Sequence, residues 1–350
     1  MATRAAERGN RSFRISPTLL VLACTTLMAG ILVFVTYRRG AATDTEMRFL
    51  FTWLAPDIDE ASALCPVEYA LRTADGNDVI FLGDSTCRTG VDPARFETLT
   101  GLSAYNLGSL RGIGAAGFVI TAKAYLLHHP KPRALVLCVT PTCFEVEAGT
   151  VGGPLSGQFV SNYGPEVAEF VPLIARVSYF SKRGVWSVWP RIDVAKERMH
   201  GQDVRDVPLR GYKTETYHSL QRKTRESRGF FALPGLHGPP KGIGGAEATL
   251  VQDEWDQGIR RLAQVCDAAD VALLIQFTPV TAQVAAARDF GPLETWSQGL
   301  ESTYKRLTVA RPIVLVYEPQ DMWDYIHLNA AGVERFVPLV AKNVQASLKE

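Results

Sequence analysis

The chain has 350 residues and a formal net charge of +1, from 37 Lys and Arg against 36 Asp and Glu. Charged residues make up 21% of the chain, close to the roughly 25% of ordinary globular proteins. This balance excludes a chain-wide basic surface for nucleic acid, and the 47% of hydrophobic residues excludes wholesale disorder. The length allows one large domain or two small ones.

The first predicted element is a membrane anchor at residues 15–37. These 23 residues carry no charge and reach about 34 Å as a helix, enough to cross a bilayer. A cleaved signal peptide is the alternative, but its apolar run would be about 7 to 15 residues long. The span lies between a short tail at 1–14 and a juxtamembrane stalk and helix at 38–77.

The orientation of this anchor follows only weakly from charge. Four arginines precede the span and three follow it closely, so the positive residues divide almost evenly between its two sides. A short N-terminal tail with most of the chain exported is the common single-anchor arrangement. We adopt it as a hypothesis, which makes the chain a single-pass membrane protein with an extracytoplasmic domain.

Strands and helices alternate beyond the stalk, which predicts an α/β domain over residues 78–349. The predicted strands are mostly continuous apolar runs of the kind buried in a parallel sheet, at residues 78–82, 103–107, 134–139, 271–277 and 312–317. Apolar residues at three- and four-residue spacing predict helices at 115–127, 250–269, 293–309 and 330–348. We therefore expect a doubly wound parallel sheet, with functional sites at the carboxyl ends of its strands.

One long stretch, residues 146–264, interrupts the alternation. It contains Gly, Pro and polar segments around a single predicted helix at 166–180. We interpret this stretch as an insertion or lid.

The first candidate for chemistry is the tripeptide Gly83-Asp84-Ser85, which closes the first predicted strand. The hydroxyl of Ser85 is thereby expected at the carboxyl edge of the sheet, where it could attack a substrate. The tripeptide alone is weak support, because any strand-to-loop turn favours Gly, Asp and Ser. No second glycine follows at the spacing of a G-x-S-x-G elbow, which disfavours an α/β-hydrolase.

The second candidate is the motif that begins at Asp324 and reaches His327, after the last predicted strand. A loop in this place can reach the same sheet edge as Ser85. A serine hydroxyl is a poor nucleophile near neutral pH until a base removes its proton. His327 is suited to be that base, and Asp324 to orient the imidazole and stabilise its charged form.

An oxyanion hole is the third requirement of such a site. Gly108 follows Asn106 at the end of the second predicted strand, and its backbone N–H, together with that of Ser85, could bind a tetrahedral intermediate. Other residues that could line the site are Asp84, Asn106, Thr140 and Trp323, with Asp84 expected to organise the turn. The histidines of the predicted insertion show no metal-ligand spacing, so we expect neither a metal nor another cofactor.

These blocks resemble the SGNH, or GDSL-like, family of hydrolases and acyltransferases. Gly83-Asp84-Ser85 matches the first block of that family, Asn106 with Gly108 the second, and Asp324 with His327 the last. The resemblance implies a doubly wound fold, a Ser85 nucleophile with His327 and Asp324, and an oxyanion donor at Gly108. The chain departs from the family at the third block, where Thr140-Pro141-Thr142-Cys143 stands in place of G-x-N-D.

An anchor followed by these blocks is also similar to envelope proteins that modify polysaccharides, such as alginate O-acetylation and teichoic-acid D-alanylation proteins. This likeness implies a serine acyl hydrolase or O-acyltransferase acting on acetyl-like esters of a cell-envelope glycan. A membrane-bound acyltransferase is the partner it suggests, and no nucleic acid is expected. The alternative is a catalytically silent subunit that uses the same fold to hold the polysaccharide beside the acyltransferase.

Overall fold

A computed structural model describes residues 24–28, 66, 69–70, 75–109, 113–145, 224, 226–233, 247–248 and 251–349. Its strands are β1 (Val79–Gly83), β2 (Ala104–Gly108), β3 (Ala134–Val139), β4 (Glu247–Ala248), β5 (Ala272–Phe277), β6 (Val280–Thr281), β7 (Arg288–Asp289), β8 (Leu307–Val309) and β9 (Val316–Tyr317). Its helices are α1 (Ser85–Gly90), α2 (Pro93–Thr100), α3 (Gly114–His128), α4 (Asp253–Ala269), α5 (Ala282–Ala286), α6 (Gly291–Thr303) and α7 (Ala330–Ser347). Two short 3-10 helices cover Pro141–Glu145 and Pro319–Asp321.

The main sheet has five parallel strands in the order β2-β1-β3-β5-β8. Its central strands β1 and β3 are buried along their whole length, which explains why their sequences are continuous apolar runs without alternation. The predicted strands at 78–82, 103–107, 134–139 and 271–277 correspond to β1, β2, β3 and β5.

Helices cover both faces of this sheet. Ile80 and Leu82 of β1 join the core that contains α3, α4 and α6, whereas Val79 and Phe81 join the core that contains α1, α2 and α7. Successive side chains of a strand point to opposite faces, so each strand contributes to both cores. The structure is thus an α/β fold with a parallel five-stranded sheet between two helical layers.

The fifth predicted strand, at 312–317, is wrong as a member of the main sheet. The fifth strand is β8, Leu307–Val309, and β9 pairs instead with β6 in a separate two-stranded sheet. The helix predicted at 293–309 is too long at its C-terminal end. Helix α6 ends at Thr303, and β8 begins at Leu307. Leu293 and Leu300 are buried on α6, and Leu307 continues their seven-residue spacing although it already belongs to a strand.

The limits of the predicted insertion also change. Helix α4 begins at Asp253 and buries Trp255, Ile259 and Leu262 in the core beside α3, so it belongs to the helical layer of the sheet. The α/β core therefore resumes before residue 264. Most of the stretch 146–252, including the predicted helix at 166–180, lies outside the described residues.

Residues 228–231, within the predicted insertion, pack against β2 at the edge of the main sheet. The Asn106 N–H donates to the Arg228 carbonyl oxygen at 2.9 Å, and the Phe231 N–H donates to the Arg88 carbonyl oxygen at 3.0 Å. Gly229, at φ 87°, lies so close to β2 that a Cβ on it would be 1.8 Å from the Asn106 carbonyl oxygen. Only glycine fits this position, because both the conformation and the approach exclude a side chain.

The predicted anchor cannot be compared with the structure. Of residues 15–37 only 24–28 are described, and the tail at 1–14 and most of the stalk at 38–77 lie outside the described residues. Within the part of the chain that the structure describes, no helix is both long and apolar enough to cross a membrane.

His129, just after α3, fastens the segment before β1 to the domain. The residue is buried, its Nδ1 lies 2.8 Å from the Asp75 carbonyl oxygen, and its Nε2 lies 3.1 Å from that of Ala70. Its ring also stacks on Tyr125, with centroids 4.0 Å apart. Because carbonyl oxygens only accept hydrogen bonds, His129 is the donor in these contacts.

We expect His129→Phe to lower the free energy of unfolding by about 1–3 kcal/mol, because the ring can still stack while buried carbonyl oxygens lose their donors. The exposed neighbour His128 gives the matched control, and His128→Phe should change stability by less than about 0.5 kcal/mol. Urea unfolding of both variants measures this difference. Equal stability of the two would contradict the assigned role of His129.

Candidate active site

The turn between β1 and α1 carries Ser85, and its first residue must be glycine. A Cβ on Gly83 would lie 1.7 Å from the carbonyl oxygen of Cys138, its register partner on β3. The close approach of these two strands leaves room only for hydrogen at this position. Ser85 is the first residue of α1, so its hydroxyl stands at the carboxyl edge of the sheet.

Asp84 is the N-cap of α1, and its carboxylate holds the turn together from inside the protein. Oδ1 accepts hydrogen bonds from the Thr86 N–H at 2.9 Å and from the Thr86 hydroxyl at 2.5 Å. Oδ2 accepts one from the Thr140 N–H at 3.3 Å, at the end of β3. Asp84 is only 1% exposed, so its carboxylate fixes the turn rather than meeting solvent.

The loop before α7 carries His327 and Asp324. Oδ1 of Asp324 accepts hydrogen bonds from the Ile326 N–H at 2.8 Å and the His327 N–H at 2.7 Å, which closes a tight turn. A second link closes the loop, since the Trp323 N–H donates to the His327 carbonyl oxygen at 2.8 Å. These bonds hold the backbone of His327 in place relative to Asp324.

The three side chains form one hydrogen-bonded line. Asp324 Oδ2 lies 2.7 Å from His327 Nδ1, and His327 Nε2 lies 2.9 Å from Ser85 Oγ. The side chains of His327 and Asp324 are 19% and 18% exposed, so the line is sheltered but open to solvent at the sheet edge. This is the geometry in which imidazole can take a proton from a serine hydroxyl while a carboxylate orients the ring.

The pKa of Asp324 is lowered from its ordinary value of 3.8. Partial burial acts to raise this pKa, but the hydrogen bond and charge interaction with His327, together with the two backbone N–H groups, outweigh it. The carboxyl group therefore stays ionised near neutral pH, which is the form that can accept a hydrogen bond from the Nδ1–H of His327 and stabilise an imidazolium.

The contacts of Gly108 and Asn106 differ from those that the sequence predicts for an oxyanion donor and a residue that lines the site. The Gly108 N–H donates to Asn106 Oδ1 at 2.7 Å, so this predicted oxyanion donor is already engaged. Asn106 is fully buried, and its Nδ2 donates to the carbonyl oxygens of Cys87 and Val91. Asn106 therefore does not line the site, because its carboxamide is used to fasten α1 and the following loop to β2.

The other predicted lining residues lie on two sides of the site. Thr140 is buried beside Asp84, and its hydroxyl lies 3.3 Å from that of Thr142. The Trp323 ring stands nearly perpendicular to the His327 ring, with centroids 6.3 Å apart. Trp323 is half-buried and thus contributes an aromatic wall next to the imidazole.

Sequence reasoning missed Thr86, Thr278 and Thr281. The Thr278 hydroxyl donates to the Thr86 hydroxyl at 2.9 Å, and the Thr281 N–H donates to the Tyr325 carbonyl oxygen at 3.1 Å. Thr278 directly follows β5, so the rule that sites form at the carboxyl ends of parallel strands could have identified it. Nothing in the sequence pattern marks the other two.

Within the described residues, no group of three or more His, Cys, Asp or Glu side chains is arranged to hold a metal ion. Neither a scan against models of protein families nor a search of curated proteins finds a match to this chain. Its chemistry is therefore inferred from the arrangement of Ser85, His327 and Asp324.

The lowered pKa of Asp324 predicts a pH-dependent contribution to stability. A carboxyl group with a lower pKa in the folded state stabilises the fold above its unfolded value, and this stabilisation is lost as pH falls through the folded value. We expect the difference in unfolding free energy between the wild type and Asp324→Asn to shrink from about pH 5 to about pH 2. Urea titrations across this range measure it, and a constant difference would contradict the assignment.

Proposed function

We propose that the chain is a serine acyl hydrolase or O-acyltransferase that works through an acyl-enzyme on Ser85. One observation carries this proposal: the continuous hydrogen-bonded line from Asp324 through His327 to Ser85 Oγ, with distances of 2.7 and 2.9 Å. A serine with a purely structural role does not need an imidazole beside its hydroxyl with an ionised carboxylate behind the ring. A nucleophilic serine needs both.

The reaction follows from the positions of these groups. His327 Nε2 takes the proton of the Ser85 hydroxyl while Oγ attacks the ester carbonyl carbon, giving a tetrahedral oxyanion and an imidazolium. The imidazolium gives the proton to the leaving alkoxide, the C–O bond to the alcohol breaks, and the acyl group stays on Ser85. Water or a sugar hydroxyl then attacks the acyl-enzyme with His327 as base, which gives hydrolysis in the first case and transfer in the second.

The fold supports the SGNH-like part of this proposal. The strand order β2-β1-β3-β5-β8, renumbered along the main sheet, is the 2-1-3-4-5 order of flavodoxin-like doubly wound folds. Helices on both faces and a reactive serine directly after the first strand are features that the resemblance implies. We therefore propose a doubly wound SGNH-like domain with an insertion between β3 and α4.

Oxyanion stabilisation in this domain begins with the Ser85 N–H. The N–H groups in the first turn of a helix have no acceptor within the helix, and Ser85 opens α1. The Gly108 N–H could join it only by leaving Asn106 Oδ1. The hydroxyls of Thr140 and Thr142 are the side-chain donors that stand in the place of the missing third-block asparagine.

The substrate and the location are proposed from the sequence. An uncharged stretch of 23 residues at 15–37 suits an anchor, and the blocks around Ser85 and His327 resemble those of envelope polysaccharide O-acylation proteins. We propose an extracytoplasmic domain held at a membrane, acting on acetyl-like esters of an envelope glycan beside a membrane-bound acyltransferase.

A second candidate is a catalytically silent subunit that binds the glycan. Two observations favour it: the Gly108 N–H is engaged by Asn106, and the third block lacks the asparagine of the family pattern. Loss of one oxyanion donor costs an acyl-transfer enzyme about 10²- to 10³-fold in turnover. The two candidates differ in whether Ser85 reacts.

A serine-directed fluorophosphonate distinguishes them. We expect the wild type to be labelled once, at Ser85, and Ser85→Ala to lose both this label and about 10⁴- to 10⁶-fold of the turnover on acetyl esters. Peptide mass spectrometry locates the label. The exposed Ser302 gives a matched control, and Ser302→Ala should react like the wild type. A folded wild-type protein that stays unlabelled would contradict the enzyme and support the binding subunit.

A further inference from the structure

We propose that the segment from Thr278 to Thr281 is a positioning device that sets the distance between the nucleophile turn and the base loop. Its first residue contacts the turn that carries Ser85, and its last residue contacts the loop that carries His327. Thr278 and Thr281 are thus positioning residues that act through other groups. The inference rests on the proposed serine chemistry and assigns two further residues to it.

The contact at Thr278 has a fixed direction. The Thr86 hydroxyl has a single proton, which it donates to Asp84 Oδ1 at 2.5 Å. The Thr278 hydroxyl must then donate to Thr86 Oγ1, at 2.9 Å. This chain of two hydroxyls ends on the buried N-cap of α1, one residue before Ser85, and successive hydrogen bonds of this kind strengthen one another.

The contact at Thr281 is made by the backbone. Its N–H donates to the carbonyl oxygen of Tyr325, which lies between Asp324 and His327 in the base loop. The Thr281 side chain takes no part, because its buried Oγ1 has no hydrogen-bond partner. Thr281 therefore bonds to the base loop through its backbone N–H and not through its side chain.

The segment between these two contacts is short, and its backbone is hydrogen-bonded to neighbouring residues. The Thr278 N–H donates to the Val139 carbonyl oxygen at 2.9 Å, and the Val280 N–H donates to that of Leu315 at 2.8 Å. Pro279 restricts the backbone between them, and both threonines are at least 95% buried. A segment so fixed transmits a defined spacing from β5 to both halves of a site whose members are 242 residues apart in the chain.

The consequence for reactivity is specific. Displacement of a reacting group by about 1 Å can cost about 100-fold in rate, even when the change lies outside the reacting atoms. The device should therefore affect the rate at which Ser85 reacts more than the affinity for substrate. Stability alone would not separate this role from a structural one.

The test at Thr278 compares Thr278→Val, which removes the hydroxyl, with Thr278→Ser, which keeps it. We expect Thr278→Val to react with the fluorophosphonate about 10- to 100-fold more slowly, and to lose kcat on 4-nitrophenyl acetate with little change in KM. Thr278→Ser should restore most of the rate. Thr121→Val is the matched control, because Thr121 is also fully buried and its hydroxyl bonds only to a helix carbonyl of α3.

The test at Thr281 removes the N–H by substitution with proline. The φ of Thr281 is −72°, within the range of proline, so Thr281→Pro keeps this backbone angle while it removes the N–H and places a ring carbon against the Tyr325 carbonyl oxygen. Thr281→Ala keeps the N–H and should react at least about 10-fold faster than Thr281→Pro. This comparison decides the proposal even if Thr278→Val does not fold.

The outcomes separate this inference from the proposed function. A wild type that does not react with the probe contradicts the proposed function itself. A reactive wild type with folded Thr278→Val and Thr281→Pro variants that react within about twofold of it leaves the function intact and overturns the positioning device. Equal slowing by Thr278→Val and Thr278→Ser also overturns it, because the effect would then be independent of the hydroxyl.

Discussion

The hydrogen bond between Ser85 Oγ and His327 Nε2 is the contact on which the chemical interpretation depends. It joins two segments that are 242 residues apart, and the sheet makes it possible because strands that run parallel end at one edge. The turn after β1 and the loop before α7 both open at that edge. The close packing of β1 against β3, which excludes a side chain at Gly83, and the buried carboxylate of Asp84 fix the turn, whereas Asp324 fixes the loop. Each half is rigid on its own, so their relative position decides whether the serine can be activated.

Much of this arrangement could be predicted from the sequence. Apolar runs identify β1, β2, β3 and β5, because strands covered on both faces need no alternation. Asp84 and Ser85 are polar residues that directly follow β1, and Asp324 and His327 lie in the loop before α7. The turn of Ser85 lies at the carboxyl end of a main-sheet strand, whereas the loop of His327 follows β9, which lies outside the main sheet. The spacing of three residues between Asp324 and His327 also suits a turn in which one carboxylate oxygen holds the backbone and the other holds the ring.

Other features depend on contacts that no sequence pattern contains. The boundary between α6 and β8 was missed because Leu293, Leu300 and Leu307 keep one spacing across a change from helix to strand. Gly108 was predicted to offer a free N–H, and the pattern could not show that the side chain two residues earlier would bond to it. Thr278 can be identified only by its contact with Thr86, a residue in the first turn of α1 that lies 192 positions away. Short polar side chains have many possible hydrogen-bond partners nearby. The partner that such a side chain binds is therefore decided by packing and not by residue type.

The hydrogen bond from the Gly108 N–H to Asn106 Oδ1 bears on whether this N–H could bind an oxyanion. Asn106 cannot simply turn away to release the Gly108 N–H, because its Nδ2 is bonded to two carbonyl oxygens and its Oδ1 also accepts from the Cys87 thiol at 3.4 Å. An oxyanion is a stronger acceptor than a neutral carboxamide oxygen and would compete for the Gly108 N–H, which now donates to Asn106 Oδ1. Gly229 packs against the Asn106 carbonyl oxygen, and the Phe231 N–H donates to the Arg88 carbonyl oxygen of α1. Residues 228–231 of the predicted insertion therefore contact both β2 and α1, the two elements that Asn106 joins.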